Sequence, residues 1–404
     1  MKWIIENEGI GLPVKSWCEN VEEGAMKQAM NLARHPVLRH HLALMPDCHQ
    51  GYGMPIGGVI AAKGAVIPAA VGVDIGCGMV AVETDVPAKR FADMSFRRAI
   101  QERLKERIPV GEGVSHDSPQ EWDGFESYLD HNGPTADFPS KLDRHNLGTL
   151  GGGNHFIELQ KSDTGFAWLM IHSGSRNLGK RIEEYYHRIA KKLNERYCVN
   201  LPDPDLAFLP IEEPAGHNYF RDMLFALRYA FENRRRMMTV FKETVADFVP
   251  EVNFIREINI HHNYAVFEEH FGEKLCIHRK GATSAKLDEL GIIPGSMGTA
   301  SYIVRGLGNP QSFMSCSHGA GRAMSRIAAN RTLTLEECDK AMEGIVYERW
   351  KTSRGFRGKS SSSQKQTDFS EAPQAYKPID DVIASESDLV EPLVRLTPMA
   401  VLKG

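Results

Sequence analysis

The chain has 404 residues, 42% hydrophobic and 25% charged, with a formal net charge of -4. That balance is ordinary for a soluble globular protein and excludes one coated in basic residues, while leaving room for a local basic groove that binds phosphates. There is no run approaching the roughly 20 apolar residues of a membrane helix, no apolar stretch of signal-peptide length in "MKWIIENEGIGLPVK", and the seven scattered cysteines include no C-x-x-C, so a reduced, cytoplasmic protein is expected.

Taken in chain order, residues 21–45 carry apolar positions at helical spacing until Pro36 interrupts them. From 52 to 84, short apolar runs split by glycines predict buried strands and tight turns. A helix is expected over 93–107 and a polar, loop-rich stretch over 110–147. Residues 148–176 return to strands and glycines, and 178–246 read as mostly helical. Within that stretch "RDMLFALRYAFENRRRMMTVFKETVADFV" is the clearest amphipathic run, with Leu224, Leu227 and Ala230 sharing a face with Phe231. Strands are expected again as far as "SYIVRGL", then a last helical segment over 334–351. The basic, serine-rich "SRGFRGKSSSSQKQT" at 353–367 reads as a mobile loop. Chemistry-bearing motifs recur from residue 47 to 403 without a clean linker. The expected fold is therefore α/β: a single interwoven domain spanning 1–404, with buried mixed β-sheets, surrounding helices and a helical insertion around 200–250.

Several of the 16 histidines sit in glycine- or serine-rich turns: His49 in "PDCHQGYG", His155 in "GGGNHFIE", His172 in "IHSGSR", His261 and His262 in "INIHHNY", and His318 in "SCSHGAGR". A single such histidine is more often a hydrogen-bonded core residue than a ligand. Together, His155, His172 and His262 lie at the ends of expected buried strands, where α/β folds collect their sites. "GVDIGCGM" adds the carboxylate of Asp74 and the thiol of Cys77. These five donors form a mixed O/S/N set that suits borderline divalent metals; they are too many for one open tetrahedral ion but suit two ions sharing Cys77. Two neighbouring ions are the usual clamp for phosphoryl chemistry. The plain alternative makes Cys77 a small buried residue and Asp74 a turn former.

His318 differs, standing before a glycine-rich turn and the helical "AMSRIAA", where backbone N–H groups favour phosphate oxygens. It could serve as ligand, general acid or nucleophile, or simply sit at a glycine turn. "IHRKGATSA" with Lys280, "PGSMGTASY" with Ser296 and Ser301, and "HSGSR" with Arg176 add hydroxyl and cationic partners. Neither a Walker pattern nor a dinucleotide fingerprint in its strand–helix context is present.

"PDCHQGYGMPIGGV", "GVDIGCGM", "GGGNHFIEL", "HSGSR", "HHN", "RKGA", "PGSMGTASYIVRG", "SHGAGRAMSR" and the terminal "VLKG" together resemble, in order and along almost the whole chain, the RtcB-type RNA-splicing ligase family. The resemblance implies a GTP- and manganese-dependent enzyme that joins an RNA end bearing a 3'-phosphate or 2',3'-cyclic phosphate to a 5'-hydroxyl end. It implies His318 as the nucleophile that becomes guanylylated, with Asp47 orienting it. Two Mn²⁺ ions would be held by Asp74, Cys77, His155, His172 and His262, with Cys77 bridging; His262 is chosen over His261 because the pattern needs the His-Asn pair. GTP would be gripped by Asn154, Glu158, Asn263, Pro294, Gly295, Ser296, Met297, Ser301, Gly319, Ala320, Gly321 and Lys403. Arg176, Lys280 and Arg322 would contact phosphates or RNA. The partners implied are RNA and, conditionally, an activating protein; a monomer without membrane attachment is expected.

Two departures stand out. Cys48 lies between Asp47 and His49, putting a second thiol near the site. The serine-rich stretch carries Arg354, Arg357, Lys359 and Lys365, with Lys351 just before it, and is expected to contact RNA phosphates. Competing readings are a two-metal phosphohydrolase or cyclic phosphodiesterase acting on RNA ends, which needs neither a guanylylated histidine nor Glu158 and Lys403, and a catalytically silent RNA-binding homologue.

Overall fold

The computed structural model describes residues 1–7, 11–132, 138–348, 350, 352–354 and 365–404. It is a mixed α/β fold built on two large sheets. The six-stranded sheet runs Trp3–Ile5, Val14–Ser16, Leu38–His49, Ile56–Ala62, Glu273–Lys280, Asn263–His270. The eight-stranded sheet runs Phe254–His261, Gly78–Pro87, Phe166–Ser173, Phe156–Ser162, Val390–Lys403, Ser301–Gly306, Leu290–Ile293, with Val346–Tyr347 added parallel to Val390–Lys403. Each sheet therefore mixes early and late segments of the chain. The two are joined at one residue: Phe254–His261 ends the larger sheet, Asn263–His270 begins the edge of the smaller, and His262 stands between them.

The residue pattern explains the central strands. "GMVAV" and "FAWLMI" are apolar on both faces because each is covered on both sides, as near-continuous apolar runs require. On one side Val80, Val82, Leu169 and Ile171 pack with Met237, Met238 and Phe241 of a long helix, Pro214–Phe248. On the other, Met79, Ala81, Trp168 and Met170 pack with Ile303 and Val401. Pro214 at the first turn suits the start of this helix, where the missing N–H costs nothing.

Some expected elements shift. Helix Glu23–Ala33 stops before Pro36, and residues 38–45 belong to strand Leu38–His49 rather than to a continued helix. The polar stretch 110–147 holds two helices, Asp123–Asn132 and Lys141–Asn146. The late helical segment is confined to Leu335–Ala341. Of the face expected from Leu224, Leu227, Ala230 and Phe231, only Ala230 is fully buried: Leu224 and Phe231 are exposed, and the buried stripe runs through Met223, Ala226, Ala230, Asn233 and Met237. Two inward positions, 233 and 234, are polar, which draws a reading based on apolarity off the true face. Of the serine-rich stretch, residues 355–364 lie outside the described residues; its flanks pair as an antiparallel ribbon, Thr352–Arg354 with Lys365–Thr367. Among the described residues no helix is long and apolar enough to cross a membrane.

Candidate active site

Strand register brings the histidines together. Gly78 pairs with both His261 and Ser173, Met79 pairs with His172, and His172 pairs with Phe156. Cys77, His155, His172 and His262 thus lie at the same end of four adjacent strands. The Cys77 sulfur is 3.2 Å from Nε2 of His172 and 3.6 Å from Nε2 of His155. These three buried residues offer ligand atoms within 4.8 Å of one another. Asp74 Oδ2 lies 3.6 Å from His155 Nε2 on one side. On the other, the His262 ring is 5.2 Å from His172 and 4.8 Å from His318.

Two of the three rings are tethered from behind. Nδ1 of His155 donates to the Leu150 carbonyl at 2.9 Å and Nδ1 of His172 to the Asn154 carbonyl at 3.1 Å, so both present Nε2 inward. Burial drives His172 and His262 well below the ordinary histidine range, which leaves neutral imidazoles, the metal-binding form. Burial, then the Asp74 carboxylate, pushes the Cys77 thiol well up; a bound cation would reverse that by favouring the thiolate. Nδ1 of His262 is buried with no hydrogen-bond partner among the described residues. An orphaned imidazole nitrogen beside a thiol and two inward-facing Nε2 atoms fits a soft-to-borderline cation.

Facing this cluster is His318, which follows strand Ser315–Ser317. Its Nδ1 is 2.6 Å from Asp47 Oδ2, which also accepts the His318 backbone N–H at 3.1 Å. Asp47 is fully buried. Two glycines make room for it: a Cβ on Gly57 would fall 2.7 Å from Asp47 Oδ1, and one on Gly321 would fall 2.4 Å from the Asp47 carbonyl. Both have positive φ, +79° and +69°, the backbone region glycine tolerates.

His318, His262 and His172 open onto a cavity of about 570 Å³. Asn154, Pro294 to Met297, Gly319 to Arg322 and Lys403 line it, so most residues expected to grip a nucleotide share one chamber. Glu158 and Ser301 stand behind its wall: Gln160 donates to Glu158 Oε2 at 2.6 Å and to Ser301 Oγ at 3.3 Å, and Ser301 Oγ accepts from the Gly295 N–H at 3.2 Å. Burial raises the Glu158 carboxyl to about 8 against the pull of Gln160 and Lys403. Asn263 does not line the chamber; it bonds the Asp74 carbonyl and the Gly281 N–H, stitching the two sheets beside the metal-type cluster.

The expected phosphate contacts divide. Arg322 lines the chamber but is engaged by the Ser370 and Met324 carbonyls. The guanidinium of Arg176 donates to Thr149 Oγ1 at 3.1 Å. The ammonium of Lys280 turns into the fold, donating to the Tyr52 carbonyl at 2.5 Å and the Ala69 carbonyl at 2.9 Å, and is not brought to the chamber. Sequence reasoning missed Glu371. This carboxylate takes Lys403 at 3.1 Å, Arg326 at 3.2 Å and Arg322 at 3.4 Å, and also the Tyr376 hydroxyl. Burial alone would raise it; Lys403 first, then Tyr376 and the two arginines, bring it down to about 2. "EAPQAY" carries no motif that would have revealed this role; only tertiary proximity to Lys403 does.

Comparison with known proteins agrees with this geometry. The sequence model of the family described as "tRNA-splicing ligase RtcB" matches residues 28–404. The RNA-splicing ligase RtcB of Escherichia coli is 39% identical, the match covering 97% of each chain. The tRNA-splicing ligases RtcB of Methanococcus maripaludis and Thermococcus kodakarensis are 32% and 31% identical, over 96% and 95% of this chain and 92% of each of theirs. With nearly its whole length matched and its histidines converging on one chamber, the chain belongs to the RtcB family.

Proposed function

We propose that this protein is a GTP-dependent RNA ligase that joins a 3'-phosphate or 2',3'-cyclic phosphate end to a 5'-hydroxyl end. The observation that carries the reading is the Asp47–His318 pair, which opens onto a nucleotide-sized chamber facing the thiol–imidazole cluster. Asp47 fixes the Nδ1–H tautomer and leaves the Nε2 lone pair of His318 free to attack. Nε2 forms a bond to the α-phosphorus of GTP as the α–β anhydride bond breaks and pyrophosphate leaves. A cyclic phosphate end is opened by water, with the 2'-oxygen leaving, to give the 3'-phosphate. An oxygen of that phosphate takes GMP from His318, breaking the P–N bond, and the 5'-hydroxyl then attacks the RNA-side phosphorus and expels GMP.

Asp74, Cys77, His155, His172 and His262 would hold two manganese ions with Cys77 shared, and these, when bound, would neutralise phosphate charge. Glu158, with Ser301 behind the chamber wall and Lys403 at its rim, would read the guanine edge; Asn154, Ser296 and the Gly319–Gly321 turn would hold sugar and phosphates, while Asn263, outside the chamber, would brace the neighbouring loops. The test is intact mass after incubation with GTP and Mn²⁺, beside His318→Ala and an ATP control. A GMP-sized adduct only on the unsubstituted chain with GTP is expected. Absence of the adduct together with hydrolysis of cyclic phosphate ends would replace this reading with the phosphodiesterase one.

A further inference from the structure

The four strand ends that carry the cluster are held from behind by one turn of the long helix. Arg234 is fully buried. Its NH1 donates to the carbonyls of Gly76 and Ser173, both at 2.9 Å, its NH2 reaches His261 Nδ1 at 3.1 Å, and its Nε donates to Asn259 Oδ1 at 2.8 Å. Gly76 precedes Cys77, Ser173 follows His172 and His261 precedes His262. The adjacent Asn233, also fully buried, completes the set. Its Oδ1 accepts from the N–H groups of Gly148 and Thr149 at 2.7 and 3.1 Å, and its Nδ2 donates to Ser173 Oγ and the Gly174 carbonyl at 3.2 Å. The loop it holds ends at Leu150, whose carbonyl orients His155.

We infer that Arg234, seconded by Asn233, is the positioning residue of the metal centre: it presets the spacing of Cys77, His172 and His262 before a cation arrives. No carboxylate pairs with Arg234 among the described residues; its partners all belong to the segments that lead into or out of Cys77, His172 and His262. A guanidinium without a carboxylate partner is expensive to bury, and three oxygen acceptors aimed at it, two of them backbone carbonyls beside expected ligands, are more than packing alone requires.

This inference rests on the metal-binding half of the proposed function, and the experiment separates the two. Co²⁺, whose thiolate charge-transfer band reports coordination by sulfur, is titrated into the unsubstituted full chain and into Arg234→Met, Arg234→Lys and Asn259→Ala, each checked for a cooperative melt. If the unsubstituted chain binds no Co²⁺ through sulfur, the metal reading itself fails. If it does, Arg234→Met is expected to bind about 10- to 100-fold more weakly with an altered band, the usual loss when an outer partner of a metal ligand is removed. Arg234→Lys, which keeps the charge but not the fork, should recover part of that loss, and Asn259→Ala should show a smaller loss in the same direction. A folded Arg234→Met with unchanged affinity and spectrum overturns the inference. Should that variant not fold, unchanged affinity in both Arg234→Lys and Asn259→Ala does the same.

Discussion

Arg234 and Arg279 are both buried to zero exposure, one behind each half of the site, and they are stabilised in opposite ways. Arg279 lies behind the His318 strand, donating to Ser315 Oγ at 2.9 Å, and is matched by Glu268 at 2.9 and 3.2 Å. Burial would lower it, but Tyr264 and Glu268 hold it above the usual arginine range. Arg234 lies behind the cluster, bonds mainly neutral oxygens and is drawn down to about 10 by burial, with Cys77 and Asp74 pulling the other way. The paired arginine is a self-contained brace; the other, with no carboxylate partner among the described residues, is held by the backbone of the strand ends it braces. The two halves of the site thus differ in whether the buried cation behind them is matched by a carboxylate or by neutral acceptors.

The largest effect is expected on the nucleophile side. Asp47→Asn should leave the fold intact but present the wrong His318 tautomer, cutting the rate of adduct formation by about 10³- to 10⁴-fold in a mass-based time course. Next, Glu268→Ala strips Arg279 of its counter-charge and should cost about 3–5 kcal/mol in denaturant unfolding, the penalty of stranding a buried ion. A smaller effect comes from pH. Glu158 and Glu386 are raised by burial to about 8, from a value near 4.5 when unfolded. Below 4.5 they are protonated in both states. Above it the unfolded chain releases its protons first, so stability should fall by on the order of a few kcal/mol as pH rises from 4.5 to about 8. Denaturation midpoints across that window should show the slope, and Glu158→Gln should flatten it. Smallest of all, Leu224→Gln on the solvent side of the helix that carries Arg234 should move stability by less than about 0.5 kcal/mol in the same assay. A large loss there would mean that face is covered.

The pattern of donor types is legible in the residue order alone. Asp74 and Cys77 in a glycine run, and histidines after apolar runs, imply convergence at strand ends, and Cys77, His155 and His172 do converge. The choice between His261 and His262 needs the family pattern, and the geometry shows why they differ: one turns back to Arg234, the other faces His318. Lys280 reads as a phosphate contact because it is a lysine beside glycine; its aliphatic stem instead crosses Gly72, and its head pins two loops.

Residue type and local spacing are enough to say which groups are available: imidazoles, a thiol, carboxylates and glycine-rich turns. They are not enough to say which face of Pro214–Phe248 is inside, which of three consecutive arginines is buried, or that Glu371 meets Lys403. Those outcomes depend on groups supplied by segments tens to hundreds of residues away. In "ENRRRMM", Arg235 and Arg236 pair with Glu232 on their own helix, as a local pattern predicts. Arg234 turns inward because the strand ends at Gly76 and Ser173 offer it buried carbonyls, and a buried acceptor must find a donor.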